Sequence, residues 1–159
     1  MASEAQEGGD AALKLSILGK ASQVFSDSPD ALAAYAEALV DASRAEASVL
    51  EKGDFFQAAR QCWYKALVIS PAHIGSLLGK GRYLTMMAYR GGDDPKTGMD
   101  ILRKVIELET LGRPRAEAEF YLGIGFRRLG NETAARGQFQ KAVQFDPAFM
   151  PAHLAGQTV

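Results

Sequence analysis

The chain holds little of what most chemistry needs. Its 159 residues include only two histidines, His73 and His153, one cysteine, Cys62, and one tryptophan, Trp63. A single thiol closes no internal disulfide, and Cys62 has no metal-ligand neighbours, so it reads as a small buried helix residue. No apolar run approaches the roughly 18 residues of a membrane-spanning helix, so no membrane insertion is expected. Met1 to Asp10, MASEAQEGGD, is acidic and polar, unlike a signal peptide. These absences point to a cytoplasmic protein; a leader removed ahead of residue 1 would place it in a periplasm instead. No run of Lys or Arg has the form of a nucleic-acid footprint, so no nucleic-acid partner is expected.

What is there is an ordinary globular composition, 47% apolar and 23% charged, with a net charge of -1. The charge is unevenly spread. Residues 1–60 carry 5 basic and 10 acidic side chains, whereas residues 61–159 carry 13 and 9, which suits the second half to a partner of acidic character. The apolar periods are all near 3.6, which predicts helices and no strands.

The stretch from Ala116 to Pro147 is the most informative. Gly123 in mid-helix costs about 1 kcal/mol against Ala, so a second helix backbone is expected to approach there. Small Ala135 and Ala142 bracket Phe139 on the next helix and leave room for its ring, with Leu122 and Phe126 opposite. Leu129-Gly130-Asn131 ends the first helix, Asn131 can cap the second, and Pro147 closes the unit. These residues fall at the spacing L-G-x2-aromatic, then A-x3-F-x2-A-x4-P, which closely resembles a tetratricopeptide repeat. The aromatic residue usual three before the Leu is absent, and Glu119 stands in its place.

The rest of the chain reads as looser copies. Residues 1–10 are expected to be a disordered tail and 11–159 a single domain. Ile17, Ala21, Val24 and Pro29 repeat the 4, 3 and 5 residue spacing of Ala135, Phe139, Ala142 and Pro147, so 11–29 stands where the second helix of a preceding repeat would stand and caps the stack. Residues 30–71 form repeat 1: Asp30 can cap an elongated first helix from about Ala31 to Lys52, a turn follows at Gly53-Asp54, and the partner helix carries Ala59, Trp63, Ala66 and Pro71. Residues 72–110 form repeat 2, with Gly81 as the close-packing glycine, an exposed loop at 90–97, and Gly98, Leu102 and Val105 on the second helix, started by Asp94 or Thr97. Repeat 3 is 116–147, and 148–159 begins a further repeat at Pro151. Lys65, Lys104 and Lys141 share a register on the solvated side of the second helices. The resemblance therefore implies an all-α fold, a right-handed superhelical stack of antiparallel helix pairs with about three repeats, an N-terminal capping helix and a C-terminal helical stub.

Few residues suggest catalysis. His73 and His153 each follow Pro-Ala at a helix start, an echo that repeat geometry explains, and neither has a second ligand one turn away. Asp93-Asp94 lack the spaced oxygens of a calcium loop. Gly79/Gly81 and Gly123/Gly125 lie inside helices, without the strand and following Lys-Ser/Thr of a phosphate loop. No Ser/His/Asp or Cys/His set stands out, so no catalytic residue, metal or cofactor is expected.

Family resemblance implies that the first helix of each repeat lines a concave groove. The inward positions are Ser43, Ala47 and Leu50; then Leu78, Arg82, Thr85 and Met86; then Phe120, Tyr121, Ile124, Arg127 and Arg128. Members that hold chaperone C-terminal carboxylates place a Lys and an Asn where Ser43 and Ala47 stand, so that mode does not carry over. The set chosen as partner-binding is Leu78, Arg82, Met86, Phe120, Ile124, Arg127 and Arg128, receiving a protein or peptide with carboxylates and apolar anchors. An equally weighted alternative is that the long helix or the C-terminal stub covers the apolar members. The function expected is a non-enzymatic protein-binding adaptor. Its rivals are a chaperone resembling three-repeat secretion chaperones and a module that self-assembles through its C-terminal end.

Overall fold

The computed structural model describes residues 2–45, 49–91, 95–109, 111–149 and 151. Among them are seven helices and no strand: α1 Ala2–Val24, α2 Pro29–Ala45, α3 Val49–Ile69, α4 Ile74–Gly91, α5 Pro95–Leu108, α6 Gly112–Arg128 and α7 Glu132–Phe145. Contacts concentrate in two units, 1–79 and 80–159, and α4 runs from the first into the second.

In the first unit α2 packs on α1 and on α3. Its core is Leu32, Ala36 and Leu39 of α2 with Ala59, Trp63 and Ala66 of α3, all nearly or wholly buried. Trp63 lies against the start of α4 so closely that a Cβ on Gly79 would sit 2.5 Å from its Nε1. Ser28 accepts from the Ala31 N–H and so caps α2, with Pro29 in the first turn where its missing N–H costs nothing. Asp30, expected as that cap, is instead exposed and meets His73.

In the second unit the pairs α4–α5 and α6–α7 are each antiparallel. Gly98 lies against Thr85 and Gly81 against Leu102; Gly123 lies against Phe139 and Ala135. Those contacts match the expected registers, with Gly98, Leu102 and Val105 buried like Ala135, Phe139 and Ala142. The turn between α6 and α7 follows its residues closely. Gly130 takes φ 76°, the Asn131 N–H bonds to the Phe126 carbonyl and the Gly130 N–H to that of Arg127, which is a Schellman ending. The Asn131 side chain then accepts from the Ala134 N–H and caps α7.

Four boundaries differ from the sequence expectations. Helix α1 begins at Ala2, so residues 2–10 are helical and not a disordered tail; a helix already nucleated by 11–24 extends at one hydrogen bond per added residue. The elongated helix of the first pair is the second one. Helix α2 ends at Ala45, α3 begins at Val49, and Gly53-Asp54 lies inside α3 instead of forming a turn. With 17 residues α2 matches α6, also 17, so the extra turns belong to the 21-residue α3. The 90–97 loop is shorter than expected, because Arg90 and Gly91 finish α4 and Pro95 already starts α5; Pro favours a first-turn position. Asp93-Asp94, Ala47, His153 and all of the expected stub beyond Pro151 lie outside the described residues.

Candidate protein-binding face

Residues of α4 and α6 meet in the second unit. Arg82 of α4 is half-buried, with its Cζ 5.7 Å from the ring centroid of Tyr121 on α6, within reach of a cation–π contact. One turn on, Arg128 of α6 donates to the carbonyls of Thr85, at 2.9 Å, and Met86. Tyr121, Ile124 and Arg128 fall at i, i+3 and i+7, so they share one face of α6. Ile124 is half-buried and the Met86 side chain is 43% exposed. Helix sequence alone sets this face: Gly125, the next residue, turns toward Met99 and Thr85, where a Cβ would approach within 2.7 Å.

The other chosen residues are engaged elsewhere. Arg127 stacks over the Phe139 ring at 4.7 Å and pairs with Glu132 at 3.5 Å, so it serves the α6–α7 turn. It diverges from Arg128 by the roughly 100° that separates neighbours on a helix. Phe120 joins Tyr121, Phe139 and Phe149 at centroid distances of 5.1, 5.6 and 5.3 Å. Phe149 is buried with Ala116 and Ala142, so the chain after α7 covers Phe120. Leu78 is half-buried in the 1–79 unit. Of the further inward positions, Ser43 and Thr85 are buried, and Leu50 belongs to α3. Ser43 turns its hydroxyl back to the Val40 carbonyl.

Two constellations were invisible in the linear spacing. Buried Glu119, at the position of the missing aromatic, accepts from Arg115 Nε at 3.0 Å, and Arg115 Nη1 donates to the carbonyls of Ile106 and Glu109 at the end of α5. Its guanidinium also lies 4.6 Å from the Phe145 ring. Glu119 thus holds a cap for the preceding helix.

The second is Asp30–His73–Ser76. His73 Nε2 is 3.0 Å from Asp30 Oδ1, and His73 Nδ1 is 2.8 Å from Ser76 Oγ. The order resembles a hydrolytic triad, but the exposure is inverted. Ser76 is wholly buried, while the Asp30 side chain is 94% exposed. Nδ1 also accepts from the Ser76 N–H at 3.2 Å, so the ring is an N-terminal cap on α4 that carries its proton on Nε2, toward Asp30. Cys62 is buried, and burial pushes its thiol above the ordinary value while Lys65 pulls the other way. Among the described residues no three His, Cys, Asp or Glu side chains gather as a metal would need. No helix among them is long and apolar enough to cross a membrane.

Among solved structures the chain is similar to a thermophilic TPR protein from Thermus thermophilus. The TM-score is 0.74 at 16% identity, over 92% of this chain and 71% of that one. At that identity the likeness bears on fold alone, and the fold is a TPR-like helical repeat. No family model matches the sequence, and no curated protein does.

Proposed function

We propose that the protein is a binding module for other proteins, without chemistry of its own, and that the α4–α6 face of the second unit receives its partner. The observation that carries this reading is the Arg82 guanidinium set over Tyr121 beside exposed Met86, with Ile124 and Arg128 on the same face. A segment with carboxylates and one or two apolar anchors fits it. The anchors supply most of the affinity. The arginines steer and fix register, since exposed ion pairs are worth only about 0–1 kcal/mol each. The TPR-like fold supports this reading, because the face is built before the partner arrives and little has to be ordered on binding.

An affinity pull-down with mass spectrometry identifies a partner, and titration calorimetry then tests the face. Arg82→Glu combined with Ile124→Asp is expected to weaken binding tenfold or more, whereas Arg127→Glu leaves it within twofold. If both variants melt like the parent and both bind like the parent, the α4–α6 face is not the site.

A further inference from the structure

The short segment after α7 is seated on the α6–α7 pair through two side chains. Phe149 is 4% exposed and lies with Ala116 of α6 and Ala142 of α7, both wholly buried, so two alanines leave the space that its ring fills. Phe120 meets that ring edge-on at 5.3 Å, and the Arg113 guanidinium lies 4.4 Å from its centroid. Arg113 Nη1 also donates to Asp146 Oδ2 at 3.0 Å. One arginine thus reads two features of the segment, a carboxylate and, three residues later, an aromatic ring. The segment shapes itself: the Ala148 N–H donates to Asp146 Oδ1 and the Phe149 N–H to the Asp146 carbonyl, both at 3.0 Å, which closes residues 146–149 into a turn of the Asx kind. Glu117 accepts from Arg113 Nε at 3.1 Å, so the guanidinium keeps its aim when Asp146 leaves.

We propose that this socket is an acceptor site for a partner protein, closed in cis by residues 146–149, and that its ligand in trans is a segment with a carboxylate three residues before an aromatic ring. The occupant in cis defines the chemistry. Its turn makes hydrogen bonds of its own and offers the socket one carboxylate and one ring, and a partner segment with the same spacing offers the same pair. A buried aromatic anchor in a small apolar pocket, with a charge-assisted bond at the rim, is the arrangement that concentrates binding energy. Tethered to α7, the plug acts at an effective concentration on the order of millimolar, so a segment in trans has to add contacts. Withdrawal of the plug uncovers Phe120, Val143 and Phe145, half-buried around the socket, and these supply that surface. The proposal does not rest on the α4–α6 face, because socket, plug and probe all derive from residues 113–150.

Amide NMR titration of the full chain with an acetylated and amidated peptide, DPAFM, the sequence of residues 146–150, tests it. Phe149→Ala empties the socket and is expected to bind the peptide tenfold or more tightly than the parent, with saturable shifts at Ala116, Phe120 and Ala142. Replacing the peptide's Asp by Asn or its Phe by Ala, or adding Arg113→Ala to the protein, should each weaken that binding tenfold or more. Asp146→Asn loosens the plug without hollowing the socket, so it should also bind more tightly than the parent, even where Phe149→Ala fails to fold. If neither variant binds the peptide better than the parent, Phe149 is core alone and the proposal is overturned. Binding indifferent to the peptide's Asp and Phe overturns the assigned chemistry. A parent that dimerises in sedimentation velocity, and loses the dimer on Phe149→Ala, makes a second copy the occupant and overturns the proposal as well.

Discussion

Gly98 and Gly53 are both helical glycines, and the same substitution should move them in opposite directions. A Cβ at Gly98 would lie 2.4 Å from the Thr85 nitrogen and 2.8 Å from the Gly81 carbonyl oxygen, so backbone on α4 would have to give way. Gly98→Ala should cost about 1–3 kcal/mol or more, as overpacking does. Gly53 has nothing within 4 Å of such an atom, and Gly53→Ala should stabilise by about 1 kcal/mol through helix propensity. Paired thermal melts check both. The spacing of Gly98, Leu102 and Val105 made the position of Gly98 legible, but its closeness to Thr85 depends on the α4–α5 distance, which no periodicity carries. Cys62 offers a second residue-scale test. Because its folded thiol is raised, the unfolded chain loses that proton first as pH climbs past about 8.5. This contribution to stability is full below that pH and falls above it. Alkylation of the native thiol should accordingly be slow and track unfolding, and Cys62→Ala should remove part of the alkaline loss seen in urea melts at about pH 7 and about pH 10.

At the scale of elements, the second helices were readable and the first were harder. Large plugs between small residues, as in Ala59, Trp63, Ala66 and again in Ala135, Phe139, Ala142, mark a helix seated in a groove, and all six are buried. Gly53-Asp54 misled because a glycine followed by an acid is a common turn signal, yet nothing crowds Gly53 and the flanking residues favour helix. Arg127 misled for a different reason: a cation on an inner helix looks free in sequence, while Phe139 and Glu132 claim it in three dimensions. Glu119 was legible only as a departure from the repeat pattern, and its meaning lies in Arg115, four residues earlier, bridging to the α5 carbonyls. Glu119→Phe alone restores the usual aromatic but strands a half-buried guanidinium, so it should destabilise by about 3–5 kcal/mol. Arg115→Met together with Glu119→Phe should recover most of that loss, since replacing a buried pair by packed apolar groups is often neutral. Urea denaturation of both single variants and the double variant gives the coupling; a double variant as weak as the sum of its singles would show that the pair is not the unit.

Over the whole chain, contacts gather within 1–79 and within 80–159, and helical repeats draw their stability from neighbour-to-neighbour packing instead of one central core. A local lesion should therefore stay local. Trp63 of α3, wholly buried and lying against Gly79 of α4, is the largest plug of the first unit, and Trp63→Ala should remove about 3–5 kcal/mol there by opening a cavity. Native-state hydrogen exchange can read the consequence helix by helix. Amides of α2 and α3 should lose that amount of protection, while those of α6 and α7, held by Phe139, Leu122 and the Asn131 cap, should lose less than about 1 kcal/mol. The contrast matters for the proposed function, because the α4–α6 face proposed to bind a partner would then survive damage in the first unit. Equal loss across all helices would instead mean that α4, which belongs to both units, makes them unfold as one, and the face could not be treated as separate from the rest.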